Sequence, residues 1–413
     1  MDGRVAGALG VIGPLSVLGD SFDVQIAIEV SGLMAPDLLL ALDDAQREGL
    51  VVVEGTLVRF SPGQRDAAYH ELGLHGRATA HAHAAETLER VRPRDLPSIA
   101  EHRAGAVAVL GLEPALEALD RAATAAERAL DWQSAAGLWE RAAEVAAQEH
   151  DGRAGHLAIR RARCQVRDGL FGEALLVCRQ VASDARAIGD GRLLADAALV
   201  VRGIPDRDTR AILLDLCRDA LRAVDVDAPL RSRLQSRVIM LSSDLARVPT
   251  EASEAQRNLL AAEETGDPQA LVEALHALQM VSAGPLNVGH RLEIADRVER
   301  LCHDVDLQDD LAWPLAWRVD AFFQLGQRPA LDNAIERLEE YADRRNDALA
   351  TWRATMARAA MAHHEGRYEA ALRSGSEAHE LAVRGGHQAA DFVYRILVSS
   401  CRLKLSGGPV EAG

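Results

Sequence analysis

A hairpin of two helices recurs along most of this 413-residue chain at intervals of roughly 40 positions, and a period of that order leaves few folds open. The clearest copy runs from Trp352 to Ala371. Met356, Ala359 and Ala360 recur at helical spacing, Gly366-Arg367-Tyr368 interrupts them, and Ala370, Ala371, Ala378 and Leu381 mark one face of a second helix. Alanines let two helix axes approach closely, and the aromatic beside the turn fills the gap where they cross. Similar turns carry Trp132, Phe171, Thr209, Val248, Val288, Pro329 and Tyr368, evenly spaced along the chain. A lone hairpin cannot bury its apolar face, so a row of them predicts a stack.

The expected fold class is therefore all-α, a tetratricopeptide-like superhelix of helical hairpins over residues 76–408. Its helices or turns should be longer than those of the standard unit, whose period is 34. A hydrophobic content of 48% with only 4% aromatic residues means a core of Ala, Leu and Val, which suits helix-on-helix packing. The last residues, 409–413, read as a disordered tail.

Residues 1–75 have a different pattern. Leu9–Leu18 is apolar, Phe22, Ile26 and Val30 share one helix face, and Met34–Glu48 reads as a third helix closed by Gly49. Leu50–Val53 and Leu57–Phe60 flank Glu54-Gly55 as a short hairpin. Three helices and a hairpin make a small winged helix, a fold that often reads DNA. Here four Arg face eleven Asp and Glu, and the third helix carries Asp43 and Asp44. Affinity for DNA rests on neutralising phosphates, so no direct DNA binding is expected.

The net charge of −16 also gives no broad attraction to nucleic acid or anionic lipid. Cys164, Cys178, Cys217, Cys302 and Cys401 are scattered without a Cys-x-x-Cys pair, as in a reducing compartment. No run approaches the roughly 20 apolar residues of a membrane span, and the N-terminus has no signal-peptide pattern. A soluble, cytoplasmic protein is the expectation, with oligomerisation left open.

Several motifs resemble the large ATP-binding regulators of the LuxR type, relatives of the maltose regulator. They are Val17-Leu18-Gly19-Asp20-Ser21-Phe22-Asp23, Glu48-Gly49-Leu50-Val51, Arg59-Phe60-Ser61, Arg65-Asp66-Ala67-Ala68-Tyr69 and His81–Leu88, with Ala125–Leu130 and Gly266–Leu271 in the repeats. The resemblance implies a winged helix followed by a helical-repeat sensor, which in that family lie between a nucleotide-binding core and a C-terminal helix-turn-helix. Two departures stand out. A phosphate-binding loop needs Gly-x-x-x-x-Gly-Lys-Ser/Thr, and the chain's only lysine, Lys404, has no glycine frame. The nucleotide-associated His that similar proteins carry after the wing is replaced by Pro62-Gly63-Gln64. No helix-turn-helix pattern follows the repeats. The chain reads as an excised fragment or as a stand-alone descendant without both effector modules.

No catalytic constellation emerges. Asp43-Asp44, Asp309-Asp310 and Glu339-Glu340 are adjacent pairs on different helix faces, and no Gly-x-Ser-x-Gly or Ser-x-x-Lys frame occurs. His81 and His83, with His70 and His75 nearby, and His363-His364 have poor spacing for a metal. Neither a metal nor a cofactor is expected. One cluster invites a ligand: His290, Trp313, Trp317, Arg318, Asp320 and Trp352, with Phe322 and Phe323, lie within about two repeats. Trp313 and Trp317 share a helix face that Asp320 continues. The cluster is either inter-hairpin packing or an aromatic pocket on the concave wall. The expected function is a non-catalytic sensor or scaffold that binds a small molecule, protein or peptide on that wall. The alternative is a helical-repeat enzyme or accessory protein of a biosynthetic pathway that uses the same pocket.

Overall fold

A computed structural model describes residues 10–202, 206–223, 225–242, 248–384 and 388–406; the 409–413 tail lies outside them. It divides into two compact units, residues 1–157 and 158–413.

The first unit opens with helical residues 10–15, then strand β1 (Ser21–Asp23), helices α1 (Val24–Ser31) and α2 (Ala35–Arg47), and the hairpin β2 (Val51–Glu54) and β3 (Leu57–Phe60). The three antiparallel strands lie in the order β1-β3-β2, with Phe22 opposite Val58 and Val53 opposite Val58 on the other edge. The sequence spacing puts Phe22 in a helix. Instead Phe22 is the middle of β1, its ring 5.8 Å from that of Phe60, and the helix starts directly after Asp23. Asp23 accepts a hydrogen bond from Gln25 N at 2.8 Å and so caps α1. Helices α3 (Gln64–Glu71), α4 (Gly73–Val91), α5 (Leu96–Gly105), α6 (Val107–Leu110), α7 (Leu112–Arg128) and α8 (Trp132–Gln148) follow. Ala80, Ala84 and Leu88 of α4 and Ile99 of α5 share a core with Ile12, Leu15, Leu38, Leu42 and Val58, so helix and sheet pack as one body.

The second unit is a run of helices: α9 (Ala154–Arg167), α10 (Phe171–Ile188), α11 (Gly191–Val200), α12 (Arg207–Arg222), α13 (Ala228–Ser242), α14 (Val248–Thr265), α15 (Pro268–Val281), α16 (Val288–Asp304), α17 (Ala312–Leu325), α18 (Arg328–Arg345), α19 (Ala348–His364), α20 (Tyr368–Arg384) and α21 (Gln388–Leu405). Every turn marker read from the sequence, from Trp132 to Tyr368, falls in the first turn of the second helix of a pair. The tetratricopeptide-like reading of the fold therefore stands. Alanines with little or no exposed surface, such as Ala197, Ala198, Ala274, Ala277 and Ala334, let the pairs close up. No single described helix is long and apolar enough to cross a membrane.

Aspartates set where the helices begin. Asp190, Asp206, Asp267 and Asp347 accept hydrogen bonds from Leu193 N, Thr209 N, Ala270 N and Ala350 N at 2.7–2.9 Å. Each satisfies a backbone donor that the helix leaves open. The second unit also curls back on itself. Arg167, at the end of α9, pairs with Asp309 at 2.7 Å and with the distant Asp347 at 2.5 Å. Gly169 sits beside that contact with φ +83°, and a Cβ there would lie 2.9 Å from the Ala348 Cβ, so only glycine fits both the turn and the approach.

Asp347 therefore serves as a helix cap and as an ion-pair partner. Asp347→Ala should destabilise the protein by about 3 kcal/mol in urea unfolding, the order expected when a largely buried pair is broken. Asp131→Ala, which removes only a cap, should cost about 1 kcal/mol. Equal losses would mean that the Arg167 contact holds nothing.

Candidate functional site

The six residues singled out in the sequence do not form one cluster. His290, on α16, is exposed and 3.5 Å from Glu293. Arg318 turns toward α16, pairing with Asp296 and Glu299 at 2.6 Å each. Trp352 is buried in a packing cluster with Ala378, Ala382 and Ala390. Trp313, Trp317 and Asp320 remain together on one face of α17, as their spacing requires.

That face meets two residues that sequence spacing does not reveal. His276 of α15 lies with its ring 4.2 Å from Trp313 and 4.9 Å from Trp317. Arg353 of α19 sets its guanidinium 3.9 Å from the Trp313 ring centroid, within cation–π range. Trp313 thus joins three successive first helices, α15, α17 and α19. Both tryptophans are under 9% exposed, so most of their surface is packing.

The polar groups beside them behave differently. Asp320 is exposed at the end of that face, and partial desolvation pushes its carboxyl above the ordinary value, against Arg291 and Arg353. Burial likewise lowers the Arg353 guanidinium to about 10, although Asp320 and Asp347 oppose the shift. Arg353 remains protonated at neutral pH.

Further along the same side sits a buried charge cluster. Arg202, just after α11, pairs with Glu273 of α15 and with Asp310, which precedes α17. Glu273 and Asp310 are each 4% exposed. Burial opposes ionisation of Asp310, but Arg202, Gln269 at 3.0 Å and Arg167 outweigh it and hold the carboxyl below its usual value. Arg233 and Arg237 of α13 complete the group, the first 4.0 Å from Glu273, the second hydrogen-bonded to the Val201 carbonyl. Burial, then Arg353, Arg202 and Arg237, keep His276 neutral well below its ordinary 6.5.

Two histidines of the first unit meet each other. His81 turns away from His83 and meets His102, Nδ1 to Nδ1 at 2.9 Å, while its Nε2 is 3.2 Å from the Tyr69 hydroxyl. Burial drives both imidazoles down to about 4. Among the described residues no three His, Cys, Asp or Glu stand close enough to hold a metal. A cavity of about 540 Å³ lies by the β2–β3 hairpin, and its Asp20, Glu54 and Asp66 against Arg59 and Arg65 favour neither sign of charge. All five cysteines are buried, and burial raises the Cys178, Cys217 and Cys302 thiols to about 12, so they are poor nucleophiles.

No protein-family model and no curated protein sequence matches the chain. Solved structures do. A signal transduction ATPase with numerous domains and a tetratricopeptide repeat sensor, from Pyrococcus horikoshii, is 12% identical with a TM-score of 0.40, over 97% of this chain. The chain spans 60% of that protein's length. A Rap protein complexed with competence and sporulation factor is 12% identical with a TM-score of 0.46, over 92% of this chain and 98% of the other. Aspartyl phosphate phosphatase F from Bacillus subtilis is 10% identical with a TM-score of 0.32, over 100% and 98%.

The depressed histidines give a signed pH dependence. The unfolded chain takes up protons near pH 6.5, while folded His81 and His102 stay neutral down to about pH 4. The unfolded state thus binds more protons in that window, and stability falls as pH drops from 6.5 toward 4. His102→Asn should flatten the slope of unfolding free energy against pH. An unchanged slope would contradict the neutral pair.

Proposed function

We propose that the chain is a non-catalytic sensor whose second unit binds a polar ligand, a small molecule or the end of a peptide, on its inner wall at Trp313, Asp320 and Arg353. The observation that carries this reading is the state of Asp320 and Arg353. They influence each other electrostatically, and neither makes an ion pair with the other within 4.0 Å. A guanidinium over the Trp313 ring and an exposed carboxylate on the same face of α17 are the few placed polar groups that a ligand site needs. His290, Arg318 and Trp352 have no part in it, since each is engaged or buried elsewhere.

In this reading residues 1–75 form a winged helix and 76–408 the helical-repeat sensor of a LuxR-type regulator. The strand order β1-β3-β2, with two helices between β1 and β2, supports the first part. The outer face of α2 argues against direct DNA contact: Met34 precedes it at 72% exposure, and Leu39, Leu40 and Asp43 are exposed along it. Such a face offers apolar and acidic surface where phosphates demand cations. A protein partner suits it better.

A thermal-shift screen against amino acids, short peptides, sugars and nucleosides tests the sensor reading. A ligand that raises the melting temperature of the parent should lose its effect in Arg353→Met and Asp320→Asn, and keep it in His290→Ala. Trp352→Ala should lower stability by about 3–5 kcal/mol, the order for a truncated core aromatic, with no effect specific to the ligand. Hits that survive both Arg353→Met and Asp320→Asn would place the binding face elsewhere.

A further inference from the structure

The inner wall carries a second polar feature that the Trp313 site does not use. Arg233 and Arg237 lie one helical turn apart on α13, hence on one face. Arg237 is 4% exposed, and its hydrogen bond to the Val201 carbonyl employs a single nitrogen. Its Nε is buried without a partner, and so is the Nε of Arg233. No carboxylate lies within ion-pair distance of Arg237 among the described residues, while Arg233 has only Glu273, at 4.0 Å, which Arg202 already holds.

Two more guanidiniums press on the same place. Arg202 is 25% exposed at its side chain, and Arg163 of α9, 57% exposed, reaches Asp196 only at 3.6 Å. Arg202 and Arg233 approach the same Glu273 oxygen, Arg237 bonds the Val201 carbonyl beside Arg202, and repulsion from Arg233 and Arg202 acts on Arg163. Arg167 shows what a satisfied inner cation looks like: it has Asp309 and Asp347 at 2.7 and 2.5 Å. Composition does not force an excess of cations here, because the chain as a whole carries −16. Burying a guanidinium against one carbonyl costs stability, and the cost disappears if an anion supplies the missing acceptors.

We propose that Arg233 and Arg237, flanked by Arg202 and Arg163, form an oxyanion subsite on the inner wall of the second unit that takes a phosphate group, free or as a phosphate monoester. Guanidinium nitrogens form a planar fork that matches two oxygens of a tetrahedral anion. A doubly charged group offsets both uncompensated arginines, whereas a carboxylate offsets one. The arginines range from the 57% exposed side chain of Arg163 to Arg237 at 4% exposure. The subsite rests on ligands reaching the inner wall, as in the sensor reading, but on other residues.

The test is isothermal titration of the full chain with inorganic phosphate and with glycerol 3-phosphate, at ionic strength held constant with chloride. Saturable one-site binding is expected for at least one of them. Tighter binding of the ester would point to a phosphorylated small molecule, and equal binding to free phosphate. Arg233→Gln and Arg237→Met should each weaken the interaction at least about tenfold, the loss of a charge-assisted hydrogen bond. Methionine keeps the buried stem of Arg237, so the anion-free Arg237→Met protein should melt no lower than the parent. Arg353→Met should leave phosphate binding unchanged, which separates this subsite from the Trp313 site. Absence of binding above the chloride control would overturn the proposal, as would binding that survives in Arg237→Met. A melting temperature far below the parent's in that variant would also count against it, by showing that the arginine is held for structure.

Discussion

One buried contact does most to decide the shape of the second unit: Arg202 between Glu273 and Asp310. In an open solenoid each hairpin touches only its neighbours. Here Arg202, just after α11, reaches α15 and the turn before α17, and Arg167 likewise reaches Asp309 and Asp347. Carboxylates at 4% exposure would be intolerable without a cation, so the curl and the charges require each other. Local hairpin packing supplies the stack, and these ion pairs tie distant repeats of it together.

The stack was legible because its causes are local. Alanine spacing and turn aromatics lie within a single repeat, and even the weak markers Thr209, Val248 and Val288 fall at helix starts. Strand β1 was not legible, since so short a strand shows no alternation and Phe22, Ile26 and Val30 also fit a helix face. For the candidate site, i and i+4 spacing linked Trp313 to Trp317 and to Asp320. Nothing local could separate these from Trp352, which packs on α20 and α21, or from Arg318, which turns to α16. His276 and Arg353 were missed because each meets Trp313 from a neighbouring repeat, on another helix. The arginines of the inner wall look in sequence like the arginines of any solvated helix.

The two polar features of the inner wall have different chemistry. At Trp313 a carboxylate and a guanidinium sit close without pairing, which suits a ligand bearing both signs of charge. At Arg233 and Arg237 the cations outnumber their acceptors, a shared Glu273 at 4.0 Å and one carbonyl. Cys178 and Cys217 are buried with raised pKa values, and His276 is packed against two tryptophans.

The claim that closure rests on Arg202 can be measured directly. Unfolding free energies of Arg202→Met, of Glu273→Gln with Asp310→Asn, and of the triple variant form a cycle. If two buried carboxylates depend on one guanidinium, Arg202→Met should cost about 3–5 kcal/mol, and the triple variant should recover most of that loss. An Arg202→Met protein as stable as the parent, or a triple variant no better than the single one, would show that the second unit curls for another reason.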